Sequence, residues 1–282
     1  MIDKVAVIGA GTMGHGIAQV AAAAGCDVLL LDMSAELAER GLGRIRDNLN
    51  EGVTRGKVSE TDRDNTLARI RAAVFPSEET ADRDLVVEAI PEKLQLKTDL
   101  FQNLERSVSA SCILASNTSS LSIDDMQSAI EHPERLLGLH FFNPVHINKL
   151  VEIVRGTATS DETLAAATEF VKRIGKDPVT VKDSPGFATS RLGVLLGLEA
   201  MRMLEEGVAS AEDIDKALEL GYRHPMGPLK LTDLVGLDVR LDIARYLHEK
   251  LGAEHFRPPQ ILEQMVAAGK LGKKSGEGFY KW

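Results

Sequence analysis

The feature that most constrains the fold of this chain is the glycine pattern at 9–14, GAGTMG, which fits G-x-G-x-x-G. It follows a short apolar run and opens an amphipathic stretch at 11–24. Glycines at this spacing allow a tight turn, a close backbone approach to a pyrophosphate, and close packing of a helix on a strand. We therefore predict a strand–turn–helix unit whose helix N-terminus faces phosphate groups.

Asp32 makes this pattern more specific, because it ends the next apolar run, 27–32. A carboxylate at this place accepts hydrogen bonds from the ribose hydroxyls of a dinucleotide and repels a 2′-phosphate. No arginine follows at Met33 or Ser34. These features favour NAD over NADP as the cofactor. The alternative is a tight strand–helix turn that binds no ligand.

Short apolar runs alternate with amphipathic stretches as far as residue 182. Continuous apolar runs are typical of parallel strands covered on both faces, and their alternation with helices indicates a doubly wound α/β sheet. The predicted strands are 4–9, 27–32, 84–89, 112–116, 136–140, 150–154 and 179–181, and the predicted helices among them are 11–24, 34–52, 60–70, 92–108 and 161–174.

The pattern changes after KDSPGF at 182–187, beyond which only helices are predicted: 188–206, 211–220, 228–251 and 259–268. Ser210 and Asp213 have the spacing of a capping box, with aspartate in place of glutamate. We therefore predict a Rossmann-type α/β domain at 1–183, followed by an all-α domain at 184–282.

The composition argues against several classes of protein. The 282 residues carry a formal net charge of −9, which disfavours nucleic acid or an anionic membrane as the main partner. No run approaches 18 apolar residues, so we expect no membrane span. Cys26 and Cys112 form neither a C-x-x-C pair nor a zinc spacing. We expect two reduced thiols, no metal site and a cytoplasmic protein.

A nicotinamide enzyme that oxidises an alcohol needs a base for the hydroxyl proton, and histidine suits this role. His140 is the histidine that ends an apolar run in the α/β domain, where such folds bind ligands. Glu152 lies inside the apolar run 150–154, where a buried carboxylate needs a partner. We predict that Glu152 pairs with His140 and stabilises the imidazolium. The alternatives are a histidine bonded to backbone and a glutamate that points to solvent.

A polar loop, ASNTSSLSI at 115–123, follows the predicted strand 112–116. Its hydroxyl and amide groups either bind a substrate oxygen or cap the next helix, and the spacing does not choose between these roles.

Several motifs together carry a family resemblance over essentially the whole chain. In order they are VAVIGAGTMGHGIA, ASNTSSLSI, GLHFFNPVH, LVEIVRG, DSPGF, GYRHPMGPLKLTDLVGLD and KSGEGFYKW. The chain resembles the L-3-hydroxyacyl-CoA dehydrogenases, and most of all their bacterial short-chain 3-hydroxybutyryl-CoA branch. The resemblance implies reversible, NAD-dependent oxidation of (S)-3-hydroxyacyl-CoA to 3-ketoacyl-CoA in fatty-acid or butyrate metabolism. It also implies a helical domain that forms a homodimer and contributes to the substrate cleft.

The resemblance also implies the site residues. His140 is the catalytic base, Glu152 its partner, and Ser119 the residue that hydrogen-bonds the substrate oxygen. The implied cofactor contacts are Gly9, Ala10, Gly11, Thr12, Met13, Gly14, Asp32, Glu92, Lys97, Asn143 and Lys274.

Two places depart from the family pattern. Ser190 stands where the family usually has an asparagine after PGF, and serine reaches less far. We nevertheless predict that Ser190 is a catalytic residue. Asn48 and Arg55 align loosely with a serine and a lysine that often contact coenzyme A in this family. Arg55, with Lys57, either binds phosphates of CoA or only complements the end of a helix.

Two other functions stay open at this point. A dehydrogenase of a free β-hydroxy or sugar acid needs the same parts, and the weak basic character near Arg55 favours it. The second is a protein that binds a dinucleotide without catalysing a reaction, and Ser190 in place of the family's asparagine favours this second function.

Overall fold

The computed structural model describes residues Met1 to Trp282, which form two compact units, Met1–Asp183 and Ser184–Trp282. The first unit contains one eight-stranded sheet. Its strands are β1 (Lys4–Ile8), β2 (Asp27–Asp32), β3 (Ile70–Val74), β4 (Leu85–Glu88), β5 (Ile113–Ser116), β6 (Leu136–Phe141), β7 (Leu150–Arg155) and β8 (Asp177–Lys182).

The strand order is β3-β2-β1-β4-β5-β6-β7-β8, which confirms the predicted doubly wound sheet. All neighbouring pairs are parallel except β6 and β7, which are antiparallel. The order reverses between β1 and β4. In open α/β sheets, ligands bind beyond the carboxyl ends of the strands at such a switch point. The topology therefore predicts a ligand site at the loops that follow β1, β4, β5 and β6.

Six helices accompany the sheet: α1 (Gly14–Ala23), α2 (Ala35–Thr54), α3 (Glu60–Ala68), α4 (Leu94–Ser107), α5 (Ile123–Gln127) and α6 (Asp161–Arg173). The hydroxyls of Ser34, Ser59 and Ser160 each accept a hydrogen bond from the N–H three residues later. These serines satisfy backbone donors that the first turn of a helix leaves free. The core combines apolar residues of the central strands with those of the helices packed on them, and its fully buried strand residues include Val5, Val7, Leu30, Leu85 and Val87.

The strand β3 was missed in the sequence, and the predicted helix 60–70 is wrong at its end. The helix stops at Ala68, and Ile70 begins a strand that pairs with β2. This strand is the edge of the sheet and its residues are mostly part-exposed. It therefore lacks the continuous apolar run by which the central strands are recognised.

The second unit is helical, as predicted. Its β structure is limited to isolated bridges among Gly272, Glu277 and Lys281. Its helices are α7 (Thr189–Glu205), α8 (Ala211–Gly221), α9 (Pro228–Val235), α10 (Leu237–Leu251) and α11 (Gln260–Ala267). The predicted helix 228–251 is in fact two helices, because Gly236 has a φ of +105° and interrupts it. The predicted capping box is confirmed: Asp213 N donates to Ser210 Oγ, and Ser210 Oγ donates to the Asp213 carboxylate.

No helix in the chain combines the length and the apolar character that crossing a membrane requires.

Buried Asp233 fastens the last residues of the chain to α9. Its carboxylate accepts hydrogen bonds from Phe279 N, Tyr280 N and Trp282 Nε1, each at 2.9 Å. Three hydrogen bonds satisfy this buried carboxylate. If the carboxylate were removed, the three donors would lose their partner.

We expect Asp233→Ala to lower the free energy of unfolding by about 2 kcal/mol, because it leaves three part-buried donors unpaired. The measurement is thermal and urea unfolding followed by tryptophan fluorescence, since Trp282 is the single tryptophan. Exposed Asp242 in α10 provides the matched control, Asp242→Ala. Equal midpoints for the two variants would contradict this role of Asp233.

Candidate active site

The antiparallel pairing of β6 and β7 places His140 directly opposite Glu152. Residues opposite each other in such a pair project from the same face of the sheet. His140 Nδ1 lies 2.8 Å from Glu152 Oε2. The exposed fraction is 6% for His140 and 0% for Glu152, so the alternative of a solvent-facing glutamate is wrong. The buried carboxylate inside the apolar run thus has the partner that its burial requires.

This geometry determines what the imidazole can do. A carboxylate accepts hydrogen bonds only, so Nδ1 carries the proton of the neutral ring and Nε2 is its basic nitrogen. At a separation of 4 Å and an effective dielectric constant near 20, opposite charges attract by about 4 kcal/mol, before the cost of desolvation is subtracted. Glu152 therefore stabilises the cation that forms when Nε2 takes up a proton. The Phe142 ring lies beside the imidazole, with 4.3 Å between the ring centroids.

The loop at 142–149, which joins these two strands, is held by a buried lysine that sequence reasoning missed. Lys176 Nζ donates to the carbonyl oxygens of Val145 and Asn148, at 2.5 and 2.6 Å. Burial, with a smaller contribution from Lys149, lowers the pKa of Lys176. Asn148 Nδ2 in turn donates to the Asn143 carbonyl at 2.7 Å. The ammonium group thus fixes the loop that carries exposed Asn143.

The polar loop after β5 does more than cap a helix. Ser122 caps α5 by accepting a hydrogen bond from Asp125 N. Asn117, which was not singled out in the sequence, accepts a hydrogen bond from Phe141 N at 3.0 Å through Oδ1. This bond fastens the loop beside His140.

Glu92 organises the remainder of this loop. Its Oε1 accepts hydrogen bonds from Thr118 Oγ1 at 2.5 Å and from Ser119 N at 2.9 Å, and lies 3.4 Å from Ser119 Oγ. Burial raises the pKa of this carboxyl, but Lys97 and the hydrogen bonds outweigh burial, so the net pKa is lowered. Glu92 is therefore an anion that orients the Ser119 hydroxyl.

Lys97 lies in the interior beneath Glu92. Its Nζ is 2.6 Å from Glu88 Oε1 and 3.1 Å from Glu92 Oε2. Glu88 ends β4, is fully buried and also accepts from Ser116 Oγ at 2.6 Å. Burial raises the pKa of Glu88. Sequence reasoning missed Glu88, although LVVEAI carries the same signal as LVEIV: one carboxylate inside an apolar run.

The glycine pattern forms a tight cradle between β1 and α1. Gly9 has a φ of +100°, and a Cβ there would lie 2.5 Å from the Ala89 carbonyl oxygen. A Cβ on Gly14 would lie 1.7 Å from the Gly9 carbonyl oxygen. A Cβ on Gly11, in contrast, would meet no atom within 4 Å. The first and third glycines are thus required by packing, and the second faces the space that a ligand would enter.

Asp32 braces this cradle. Its Oδ2 accepts a hydrogen bond from Ala10 N at 2.8 Å, and its Oδ1 accepts one from Met33 N at 2.7 Å. A carboxylate still has lone pairs free after two hydrogen bonds. Asp32 therefore keeps the capacity to accept hydrogen bonds from ribose hydroxyls.

A cavity of about 800 Å³ lies within the first unit beside the cradle. Its size and its mostly apolar walls, with a few polar groups, are typical of a cofactor site. A dinucleotide fits its lining, with space for phosphates at Gly11, a carboxylate for ribose and apolar walls for a base. The lining residues are Ile8, Gly9, Gly11, Thr12, Met13, Asp32, Met33, Leu37, Phe75, Ala89, Ile90, Pro91, Glu92, Leu96, Leu100, Asn103, Asn117 and Ser119.

Four other predicted site residues make contacts within their own units. Asn48 Nδ2 donates to Gln19 Oε1, and Arg55 forms an ion pair with Glu51 on the surface of α2. In the second unit, Ser190 is in the first turn of α7, and Lys274 pairs with Asp238. Their roles stay predictions.

Comparison with known proteins identifies the family. Residues 4–184 match the family model described as the NAD binding domain of 3-hydroxyacyl-CoA dehydrogenase, and residues 186–282 match its C-terminal domain. The chain belongs to the 3-hydroxyacyl-CoA dehydrogenase family.

Individual relatives are similar to this chain over nearly their whole length. A probable 3-hydroxybutyryl-CoA dehydrogenase of Deinococcus radiodurans is 46% identical, over 99% of this chain and 100% of that protein. The 3-hydroxybutyryl-CoA dehydrogenase of Bradyrhizobium diazoefficiens is 44% identical, over 100% of this chain and 96% of that one. The crystal structure of (S)-3-hydroxybutyryl-CoA dehydrogenase PaaH1 from Ralstonia eutropha is 40% identical and has a TM-score of 0.96, covering 100% of this chain and 99% of that chain.

Two alanine substitutions separate the packing role of the cradle from its ligand role. We expect Gly14→Ala to lower the melting temperature, because its Cβ overlaps the Gly9 carbonyl. We expect Gly11→Ala to keep the wild-type melting temperature but to weaken NADH binding by about tenfold, or roughly 1.4 kcal/mol. Scanning calorimetry and NADH fluorescence titration measure the two effects. Unchanged NADH affinity in Gly11→Ala would contradict the predicted phosphate site.

Proposed function

We propose that this enzyme catalyses the reversible, NAD-dependent oxidation of (S)-3-hydroxyacyl-CoA to 3-ketoacyl-CoA, with short acyl chains such as 3-hydroxybutyryl-CoA as substrates. The observation that carries the proposal is the buried hydrogen bond between His140 Nδ1 and Glu152. Family membership supports the reaction, and the names of the relatives support the short acyl chain.

The proposed mechanism uses the proton acceptor that this pair creates. NAD, which the glycine cradle and Asp32 would hold, would supply the acceptor for the hydride that leaves the carbon bearing the hydroxyl group. His140 Nε2 takes the hydroxyl proton, and Glu152 stabilises the imidazolium that results. Ser119, oriented by Glu92, hydrogen-bonds the substrate oxygen. In the reverse direction the same imidazolium returns the proton to the ketone oxygen.

We propose the coenzyme A contacts from charge and position. The ion pair of Arg55 with Glu51 is exposed at both ends, and such pairs contribute little stability. Arg55 can therefore exchange Glu51 for a phosphate of CoA at low cost. We assign Asn48 to the same substrate, because it lies seven residues earlier, about two turns away on the same side of α2.

A compartment with reducing conditions suits the two cysteines. Both are free and buried, and burial raises the pKa of each thiol, that of Cys112 to about 12. Free thiols without a disulfide are typical of proteins in reducing compartments. We therefore propose that the enzyme works in the cytoplasm.

We also propose that the second unit forms a homodimer. It exposes many large apolar side chains, which in oligomers are covered by a second copy. Two of them, Leu192 and Leu196, are four residues apart on α7 and so share one face. The exposed large apolar residues of the second unit are Leu192, Leu196, Val208, Leu220, Tyr222, Leu231, Leu234, Val235, Val239 and Trp282.

A charge placed on this face should split the dimer. We expect wild-type protein to have twice the chain mass of 30.6 kDa in light scattering, and Leu192→Asp to have the mass of one chain. Ile147→Asp, which alters an equally exposed side chain of the first unit, is the matched control and should stay dimeric. A Leu192→Asp dimer would contradict the proposed interface.

The roles of His140 and Glu152 are tested by a double-mutant cycle. We expect His140→Ala to lower kcat by about 10²–10⁴ while NADH still binds. Glu152→Gln should lower kcat by about tenfold or more, because its amide holds the imidazole poorly. Since Glu152 acts through His140, the double variant should be no slower than His140→Ala alone. The measurement is NADH oxidation with acetoacetyl-CoA, and additive losses would contradict the coupling.

A further inference from the structure

Glu88 is a carboxylate that the proposed mechanism does not use, although it is fully buried at the end of β4. The register between β4 and β5 places it beside Ser116, the last residue of β5. Both strands end at the carboxyl edge of the sheet, where folds of this class bind ligands. A buried carboxylate is tolerated only with partners, so the groups bonded to Glu88 indicate what it does.

Three donors converge on the Glu88 carboxylate. Its Oε1 accepts hydrogen bonds from Ile90 N at 2.7 Å and from Lys97 Nζ at 2.6 Å. Its Oε2 accepts one from Ser116 Oγ at 2.6 Å. Burial raises the pKa of this carboxyl, whereas the ammonium group and the hydrogen bonds favour its ionised form. Glu88 is thus the anionic partner of Lys97.

The Lys97 ammonium group is shared unequally between two carboxylates. Its Nζ lies 2.6 Å from Glu88 Oε1 and 3.1 Å from Glu92 Oε2. The exposed fraction of the side chain is 0% for Glu88, 1% for Lys97 and 35% for Glu92. Because Glu88 holds the ammonium group more closely, Glu92 keeps negative charge and lone pairs for its other donors.

The other donors to Glu92 belong to the loop after β5. Glu92 Oε1 accepts hydrogen bonds from Thr118 Oγ1 at 2.5 Å and from Ser119 N at 2.9 Å, and lies 3.4 Å from Ser119 Oγ. Ser119 is the residue that we propose to hydrogen-bond the substrate oxygen. The direction of its hydroxyl group therefore depends on the position of Glu92.

A second route leads from Glu88 to the same loop. Ser116 Oγ, which donates to Glu88, accepts a hydrogen bond from Thr118 N at 3.2 Å. Thr118 Oγ1 accepts one from Leu121 N at 2.9 Å and itself donates to Glu92. The loop is thus held through Ser116 and through Glu92, and Glu88 is common to both routes.

We propose that Glu88 is a positioning residue that fixes the Ser119 hydroxyl group for the proposed reaction, on which this inference rests. Its negative charge keeps Lys97 from neutralising Glu92. Glu88 does not line the cavity that fits the cofactor, so it acts through these neighbours. Without the charge of Glu88, buried Lys97 has one carboxylate left and draws Glu92 away from the loop. The positioning therefore depends on the charge of Glu88 more than on its shape.

Two substitutions separate charge from shape. Glu88→Gln keeps the shape of the side chain and removes its charge, whereas Glu88→Asp keeps the charge and shortens the side chain. We expect kcat for the reduction of acetoacetyl-CoA by NADH to fall about tenfold or more in Glu88→Gln, and less in Glu88→Asp. A folded Glu88→Gln variant with the wild-type kcat, or one faster than Glu88→Asp, overturns the proposal.

A double-mutant cycle with Ser119→Ala separates positioning from a loss of stability. Since Glu88 acts through the Ser119 hydroxyl group, Glu88→Gln should lower kcat no further once residue 119 is alanine. Losses that multiply across the two sites contradict this role. Should Glu88→Gln fail to fold, the same cycle is run with Glu88→Asp, whose loss must also disappear in the Ser119→Ala background.

Arg135→Gln is the matched control, because it also removes one buried charge from the first unit. Arg135 is 5% exposed and donates to the carbonyl oxygens of Ser109 and Glu105. It directly precedes β6, at the edge of the sheet opposite the site. Arg135→Gln should lower the melting temperature and keep the wild-type kcat. A fall in kcat equal to that of Glu88→Gln would be a general effect of lost buried charge, and overturns the proposal.

Hydrogen exchange followed by mass spectrometry tests the positioning without turnover. The N–H groups of Ser119 and Leu121 are bonded to side chains of this network. We expect faster exchange at 116–121 in Glu88→Gln than in the wild type, and wild-type exchange there in Arg135→Gln. Unchanged exchange in Glu88→Gln overturns the role of Glu88 alone. A wild-type enzyme that reduces no 3-ketoacyl-CoA overturns the proposed function instead.

Discussion

The proposed chemistry depends on the register between β6 and β7. Because the side-chain period of a strand is two, a slip by one residue would move Glu152 to the opposite face and leave His140 without its partner. This pair is also the one antiparallel pair in an otherwise parallel sheet. The loop that joins β6 and β7 therefore helps to set the register that pairs His140 with Glu152. Lys176 fixes that loop by donating to two of its carbonyl oxygens.

The rest of the site is built from polar groups at the carboxyl ends of neighbouring strands. Glu88 ends β4 and Asn117 follows β5, and each bonds to a group from another element. Such networks are rigid when every member is satisfied, because each buried group would be costly without its partner. The hydroxyl of Ser119 and the imidazole of His140 are consequently positioned by contacts that exist before any ligand binds.

Much of this arrangement could be predicted from the sequence, because two signals in it have a direct physical meaning. The glycine pattern with Asp32 predicted a nucleotide cradle, and a glutamate inside an apolar run predicted a buried pair. The same signal at Glu88 was overlooked. Lys176 could not be found in this way, since its burial comes from distant packing and not from its neighbours in sequence. The edge strand β3 and the break at Gly236 were missed because each lacks a strong local pattern.

The central claim is that Glu152 holds His140 with its proton on Nδ1, so that Nε2 is the nitrogen that takes up the substrate proton. Nitrogen chemical shifts of the imidazole, measured by NMR on protein labelled at histidine, test this claim most directly. The account predicts that neutral His140 is the Nδ1–H tautomer in the wild type and loses this preference in Glu152→Gln. A neutral ring with its proton on Nε2, or the same spectrum in both proteins, would contradict it.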